Sequence, residues 1–197
     1  MRLILASASP RRRELMTAAG YTFEVSVSSA DEDLSPDTPP AEGVRILAER
    51  KAGAVAKTIG DTTGQTFVVG ADTLVELDGV PLGKPKDEAD AKRMLSALSG
   101  SRHRVVTGVA VIAGDKCFSG TETTVVSFRS LSDSEISDYV ATGEPMDKAG
   151  AYAIQGGAEK FVSGLDGELD NVIGLPCKLL ARLLSRAGYD PDRKEPT

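Results

Sequence analysis

Tryptophan is absent from this 197-residue chain, and four tyrosines and five phenylalanines bring the aromatics to only 5% of it. So thin a supply argues against the stacking platforms on which proteins lay single-stranded nucleic acid. Histidine occurs once, as His103, so a metal-binding His pair cannot be built. No G-x-S-x-G elbow or other nucleophile motif accompanies it, and the lone imidazole reads as a packing or hydrogen-bonding group. The two cysteines, Cys117 and Cys177, stand far apart with no C-x-x-C spacing. That excludes a structural zinc site and leaves two buried or partly buried thiols in a reducing cytosol. No apolar run approaches a membrane span, and Met1-Arg2-Leu3-Ile4-Leu5 lacks the long apolar region of a signal peptide, so the expected location is the cytoplasm.

What is present is ordinary in bulk and uneven in detail. Hydrophobic residues make up 41% and charged residues 26%, as in soluble globular proteins. The length suffices for one sizeable core, or for two small lobes sharing one. A net charge of −6 argues against binding nucleic acid through overall charge, yet leaves room for an anion in a local basic pocket.

Hydrophobic patterning and turn chemistry predict alternating strands and helices. Leu3 to Ala6 reads as a buried strand. Ser9 and Pro10 read as the cap and first residue of a helix that runs to Ala19 and stops at Gly20. Phe23 to Val27 is a second strand. Thr38-Pro39-Pro40 opens a long helix ending near Gly60, with an apolar stripe of Val44, Leu47, Ala54, Val55 and Ile59. Lys51 falls on that stripe, where it either snorkels to solvent or faces a cleft. "TFVVGADTLVELDG" is a near-continuous apolar strand interrupted by Asp72, with Gly70 marking a bulge or strand end under the plainer reading. Asp78-Gly79 reads as a hairpin turn, and "PLGKPK" as a rigid loop holding Lys84. Asp87 caps a helix through Leu98, closed by Gly100. Two long strands form a hairpin about Gly114-Asp115. Ser132 and Glu135 make a capping box. "KAGAYAIQGG" and "KFVSGLDG" supply short strands and glycine turns. Pro176 starts a last helix with Leu179, Leu180, Leu183 and Leu184 on one face. The pattern predicts one α/β domain with a mixed sheet over residues 1–188 and a frayed tail over 189–197.

Chemistry concentrates in a few places. Ser7 and Ser9 precede a helix whose first N–H groups attract anions. Arg11, Arg12 and Arg13 at that positive terminus are unfavourable in an empty site, and become charge-assisted donors once a phosphate is present. The Walker pattern GxxxxGK[ST] is absent. Asp72, Lys51 and Lys84 suit polyphosphate chemistry, which uses carboxylates for Mg²⁺ and cations for developing charge. The acidic loop adds Asp31, Glu32 and Asp33, of which one or two are expected to matter.

"LASASPRRRELM", "ADE", "LAERKA", "VVGADTLV", "GKP", "LSGSRHRVVTG", "GEPMDKAGAYAIQG" and "NVIGLP", in this order and spacing, resemble the Maf family of nucleoside triphosphate pyrophosphatases. The resemblance implies an elongated, twisted mixed sheet flanked by helices, with two lobes around a cleft, as in the related inosine triphosphatases. It implies cleavage between the α- and β-phosphates to a nucleoside monophosphate and pyrophosphate, with a divalent cation, Mg²⁺ or Mn²⁺. It makes Asp72 the proton acceptor for the attacking water. Arg11, Thr73 and Gln155 match the subgroup similar to dTTP/UTP pyrophosphatases. The 7-methyl-GTP group instead carries tryptophan, glutamine and glutamate at these places. The residues, read with this resemblance, give an expected site in which Ser9, Arg11 and Arg12 hold the triphosphate and help read the base, Glu32 and Asp72 bind the metal, Lys51 and Lys84 neutralise the leaving pyrophosphate, and Thr73 and Gln155 hydrogen-bond the pyrimidine. The expected partner is the nucleotide, with neither nucleic acid nor membrane, and with a second copy of the chain admitted because family members are often dimers. Pyrophosphatases for modified nucleotides, a nucleotide-binding regulator of division and a different phosphoryl enzyme remain as alternatives.

Overall fold

Ser9 and Pro10 place the first helix as their chemistry favours. In the computed structural model of the chain, which describes residues 1–35, 37–61 and 63–190, the Ser9 hydroxyl accepts the Arg12 backbone N–H at 3.4 Å and Pro10 opens α1 (Pro10–Ala18). Gly20, at φ +83°, turns the chain out of it. The other elements follow in chain order around α1: β1 (Arg2–Leu5), β2 (Glu24–Val25), α2 (Pro40–Ile59), β3 (Thr66–Leu77), β4 (Val80–Leu82), α3 (Glu88–Leu98), β5 (Arg102–Ala113), β6 (Lys116–Phe128), α4 (Asp133–Ala141), β7 (Val162–Asp166), α5 (Leu169–Ile173) and α6 (Cys177–Ala187). The strand order is β2-β1-β3-β5-β6-β7, with β4 paired to β3. β1 runs parallel to β2 and β3, while β4 and β7 are antiparallel to β3 and β6. The mixed α/β sheet is therefore as expected. Asp78 and Gly79 both take positive φ, +50° and +83°, the conformation that a two-residue hairpin between β3 and β4 requires.

The chain divides into two compact units: Met1–Asp72, Thr107–Glu122 and Gly174–Thr197 form the first, Thr73–Val106 and Thr123–Ile173 the second. In the first unit, strand alternation sorts side chains onto two faces. Leu3, Leu5, Phe67, Val69, Ala71, Val109 and Val111 pack with Met16 of α1 and the four leucines of α6. Ile4, Ala6, Val68 and Ala110 face Ala48, Ala52 and Val55 of α2.

Gly70 and Gly108 share the α2 face by the same alternation. A Cβ on Gly70 would lie 2.2 Å from the Ala48 carbonyl oxygen and 2.8 Å from the Ala52 nitrogen. One on Gly108 would lie 2.3 Å from the Val44 carbonyl oxygen. The backbone of α2 thus rests directly on strand backbone. This corrects two expectations. Gly70 marks no bulge or strand end, since β3 continues through it and the missing side chain admits the helix. The buried face of α2 also runs through Gly43, Val44, Ala48, Ala52 and Val55, with Leu47, Ala54 and Ile59 partly exposed, because small residues bring the helix closest.

At the C-terminus, Tyr189 meets Phe67 edge-on at 5.2 Å between ring centroids, so the expected fraying does not begin at 189; residues 191–197 lie outside the described residues. Cys117 is exposed just after the β5–β6 turn, where the first residues of β6 are little covered, instead of buried as expected.

The second unit closes around Val75, Leu95, Leu98, Phe128, Tyr139 and Phe161. The Asp87 side chain caps α3, and Ser132 and Glu135 complete the capping box of α4. His103 is buried, with Nε2 at 2.8 Å from Tyr152 Oη and its ring edge-on to Phe128, which bears out a packing role. Burial pushes its pKa down to about 4. "KAGAYAIQGG" forms no strand. It winds through tight turns at Ala149–Ala151 and 154–158, with Gly150 and Ala151 at positive φ. "KFVSGLDG" supplies β7, and α5 is too short to leave a periodic signal. No helix among the described residues is long and apolar enough to cross a membrane.

Two outcomes follow. Gly70→Ala forces α2 off the sheet and lowers stability by about 3 kcal/mol, read as a shifted urea midpoint; an unchanged midpoint contradicts the contact. His103 is neutral in the fold down to about pH 4, whereas in the unfolded chain it takes a proton near its ordinary 6.5. Its contribution is therefore complete above that value and is lost as pH falls toward 4, by about 2–3 kcal/mol at pH 4.5. In His103→Phe, this part of the acid limb of urea midpoints flattens.

Candidate active site

Strand alternation puts Asp72 on the same face of β3 as Val68 and Gly70, the face that α2 covers. Lys51 lies on α2 between Ala48 and Ala52, the two residues pressed against Gly70. Its Nζ donates to Asp72 Oδ1 at 2.6 Å and lies 3.0 Å from Glu32 Oε1. The lysine and aspartate side chains are only 14% and 17% exposed, so Lys51 turns toward carboxylates instead of snorkelling to solvent. An isolated carboxylate or ammonium at such burial would be costly, and pairing offsets the cost.

The acidic loop is fastened by a residue that sequence reasoning passed over. Arg50, next to Lys51, donates through Nη1 to the Asp33 carbonyl at 2.6 Å and the Asp31 carbonyl at 3.4 Å. Asp31 spends its carboxylate within the loop, accepting the Asp33 N–H at 2.9 Å. Of the three acidic residues, Glu32 is the one that reaches Lys51.

Arg12 leaves the start of α1 and turns back to the segment between β1 and α1. Its Nε donates to the Gly174 carbonyl at 2.9 Å and its Nη1 to Ser7 Oγ at 3.2 Å. Ser7 Oγ also accepts the Ser9 N–H at 3.2 Å. Burial disfavours the guanidinium charge, Asp72 and Glu32 favour it, and Arg11 opposes it. Arg12 therefore shares one electrostatic neighbourhood with the Lys51 carboxylate pair. Arg11 is half-buried and Arg13 exposed, so the three arginines have three different settings. The first turn of α1 contains no acidic residue, leaving its positive end uncompensated by its own sequence. Ser7 was singled out in the sequence but given no place in the expected site, and Gly174 was missed. Ser7 had a signal in its place before the helix, whereas Gly174 stands 162 residues from Arg12 and only the "NVIGLP" motif pointed there.

The second unit contains the other expected residues. Thr73 follows Asp72 on β3 and is half-buried. Lys84 is exposed on a loop whose backbone is pinned on both sides. Gly83 carbonyl accepts the Gly150 N–H at 3.0 Å, Pro85 is buried, and the Lys86 N–H donates to Asp90 Oδ2 at 3.1 Å. Gly150 can make that bond because its φ is +68° and Val75 fills the space where a side chain would sit. Gln155 is exposed on the turn through 154–158.

Among the described residues, no three His, Cys, Asp or Glu side chains gather as a metal site. Two carboxylates do converge, since Glu32 and Asp72 each put an oxygen within 3.0 Å of the same nitrogen. Such a hard-oxygen pair suits Mg²⁺ or Mn²⁺, which take few protein carboxylates and complete their shell with phosphate and water.

A mixed sheet with flanking helices, one strand of which delivers a carboxylate to a lysine of α2, makes this an α/β protein. More particularly, the chain belongs to the Maf family: the family model described as Maf-like protein matches residues 2–187. It is 49% identical over 190 residues to a dTTP/UTP pyrophosphatase of Pelotomaculum thermopropionicum, covering 95% of this chain and 97% of that one. It is 48% identical over 187 residues to a dTTP/UTP pyrophosphatase of Symbiobacterium thermophilum, covering 95% and 94%. A solved structure of the Staphylococcus aureus Ham1 protein superposes at a TM-score of 0.49 with 18% identity, over 94% of this chain and 99% of that chain.

Proposed function

We propose that this chain hydrolyses dTTP and UTP to the nucleoside monophosphate and pyrophosphate. The observation that carries the reading is the Asp72 carboxylate, held by Lys51 Nζ at 2.6 Å in the electrostatic neighbourhood of Arg12. The dTTP/UTP pyrophosphatase relatives support the choice of substrate.

In this mechanism the N-terminal end of α1 receives the triphosphate, with Ser9, Arg11 and Arg12 around it. The carbonyl of Gly174 and the hydroxyl of Ser7 fix the Arg12 fork before substrate arrives, so little side-chain freedom is lost on binding. Glu32 and Asp72 would hold Mg²⁺ or Mn²⁺, which supplies neutralisation of the phosphate oxygens. Asp72 accepts a proton from water as the water oxygen bonds to the α-phosphorus, and the bond from that phosphorus to the bridging oxygen breaks. Lys51 and Lys84 offset the charge that develops on the departing pyrophosphate. Arg11, Thr73 and Gln155 are the residues assigned to the base. A methylated purine cation calls for an aromatic face, and a chain without tryptophan is poorly equipped to offer one.

Asp72→Asn tests the assignment. With dTTP and Mg²⁺, pyrophosphate release falls by about 10²–10⁴-fold while the melting curve shows a folded protein. Near-normal turnover removes Asp72 from the chemistry.

A further inference from the structure

The turn that carries Gln155 passes over a carboxylate. Gly157 donates its N–H to Glu144 Oε2 at 2.9 Å. A Cβ on Gly156 would fall 1.7 Å from Glu144 Oε1, and one on Gly157 would fall 3.1 Å from the Tyr139 ring. Neither glycine has positive φ, so conformational freedom does not explain them. A side chain on Gly156 would push the Glu144 carboxylate aside, and one on Gly157 would crowd the Tyr139 ring. The beginning of the turn is held as well, since the Ala153 N–H donates to Tyr139 Oη at 3.0 Å. The turn closes on itself when the Gly156 N–H donates to the Ala153 carbonyl at 3.1 Å. Gln155 therefore projects from a short backbone arch clamped at both ends, and is itself exposed.

An exposed loop has no need of a half-buried carboxylate beneath two adjacent glycines unless the backbone it holds must not move. We propose that Glu144 is a positioning residue for base recognition, acting through Gln155. Its carboxylate fixes the height of the turn, and the turn presents the Gln155 amide to the pyrimidine edge. This rests on the reading above in which Gln155 contacts the base. A misplacement of about 1 Å in such a contact can cost as much as 10²-fold, and an amide matched to the edge of uracil discriminates by leaving polar groups unpaired against another base.

The test compares kcat and KM for dTTP and CTP. It uses the wild type, Glu144→Gln, Glu144→Asp, Gly156→Ala, Gln155→Ala, and the double variant of Glu144→Asp with Gln155→Ala. Glu144→Asp draws the acceptor back by one methylene, and Gly156→Ala displaces it from the other side. Each is expected to raise the KM for dTTP about ten-fold with little change in kcat, and to lower the dTTP-over-CTP ratio of kcat/KM. Glu144→Gln keeps an acceptor oxygen and restores the ratio. The double variant is no worse than Gln155→Ala alone. If Gln155→Ala lowers the ratio while Glu144→Asp and Gly156→Ala leave it unchanged, the positioning role fails and the role of Gln155 stands. If the double variant shows additive losses, Glu144 does not act through Gln155 and the proposal is overturned. If Gln155→Ala itself leaves the ratio unchanged, base recognition by Gln155 fails and takes the role of Glu144 with it.

Discussion

The Lys51–Asp72 pair depends on how closely helix α2 lies on the sheet of its unit. Gly70 and Gly108 offer no side chain, Ala48 and Ala52 offer one carbon each, and the two backbones meet. From Gly70 to Asp72 the strand advances about 7 Å. From Ala48 to Lys51 the helix rises about 4.5 Å. A lysine side chain spans the remainder, and the ammonium reaches the carboxylate at 2.6 Å. Larger side chains anywhere in this seam would lift α2 and open the ion pair, so packing and electrostatics here are a single constraint.

The charges in this neighbourhood are unusually interdependent. Lys51 answers both Asp72 and Glu32, and Arg12 is held by Ser7 and Gly174 while the same two carboxylates favour its charge. An exposed ion pair is worth about 0–1 kcal/mol, and the Glu32 end, 64% exposed, belongs to that class. The Lys51–Asp72 end is mostly covered, and stripping one partner from a buried pair costs about 3–5 kcal/mol. The site thus holds a fixed, partly dehydrated set of charges of both signs, Lys51 and Arg12 beside Asp72 and Glu32. That arrangement suits a reaction in which negative charge moves from the α-phosphate toward the leaving group.

How much of this was legible in the sequence follows from the range of each interaction. Ser9 with Pro10, Asp87, Ser132 with Glu135, and Asp78-Gly79 act within three or four residues, and each ended or opened its element where expected. The leucines of α6 sat on one face because period 3.6 is a local property. What stayed hidden was long-range. Gly70 looked like a defect in a strand because its reason lies on α2, and the buried stripe of α2 shifted because glycine and alanine count for little in an apolar pattern. Tyr189 looked like tail, although its partner is Phe67. Lys51 and Asp72 were both singled out as odd, a cation on an apolar stripe and an anion in an apolar strand. Their contact resolves both oddities, and no spacing rule could have paired them. "KAGAYAIQGG" misled because small apolar residues spread among glycines suit tight turns as well as strands.

In the proposed reaction the α-phosphate is attacked where the glycine seam sets Asp72, with the triphosphate laid on the start of α1. The most direct measurement is a crystal structure of the protein with α,β-imido-dTTP and Mg²⁺. The proposed reaction predicts the triphosphate against the first turn of α1 and Arg12. It also predicts a water between Asp72 and the α-phosphorus, about 3–3.5 Å from that phosphorus. An α-phosphate bound away from Asp72, with the Lys51 contact undisturbed and no water so placed, would contradict it.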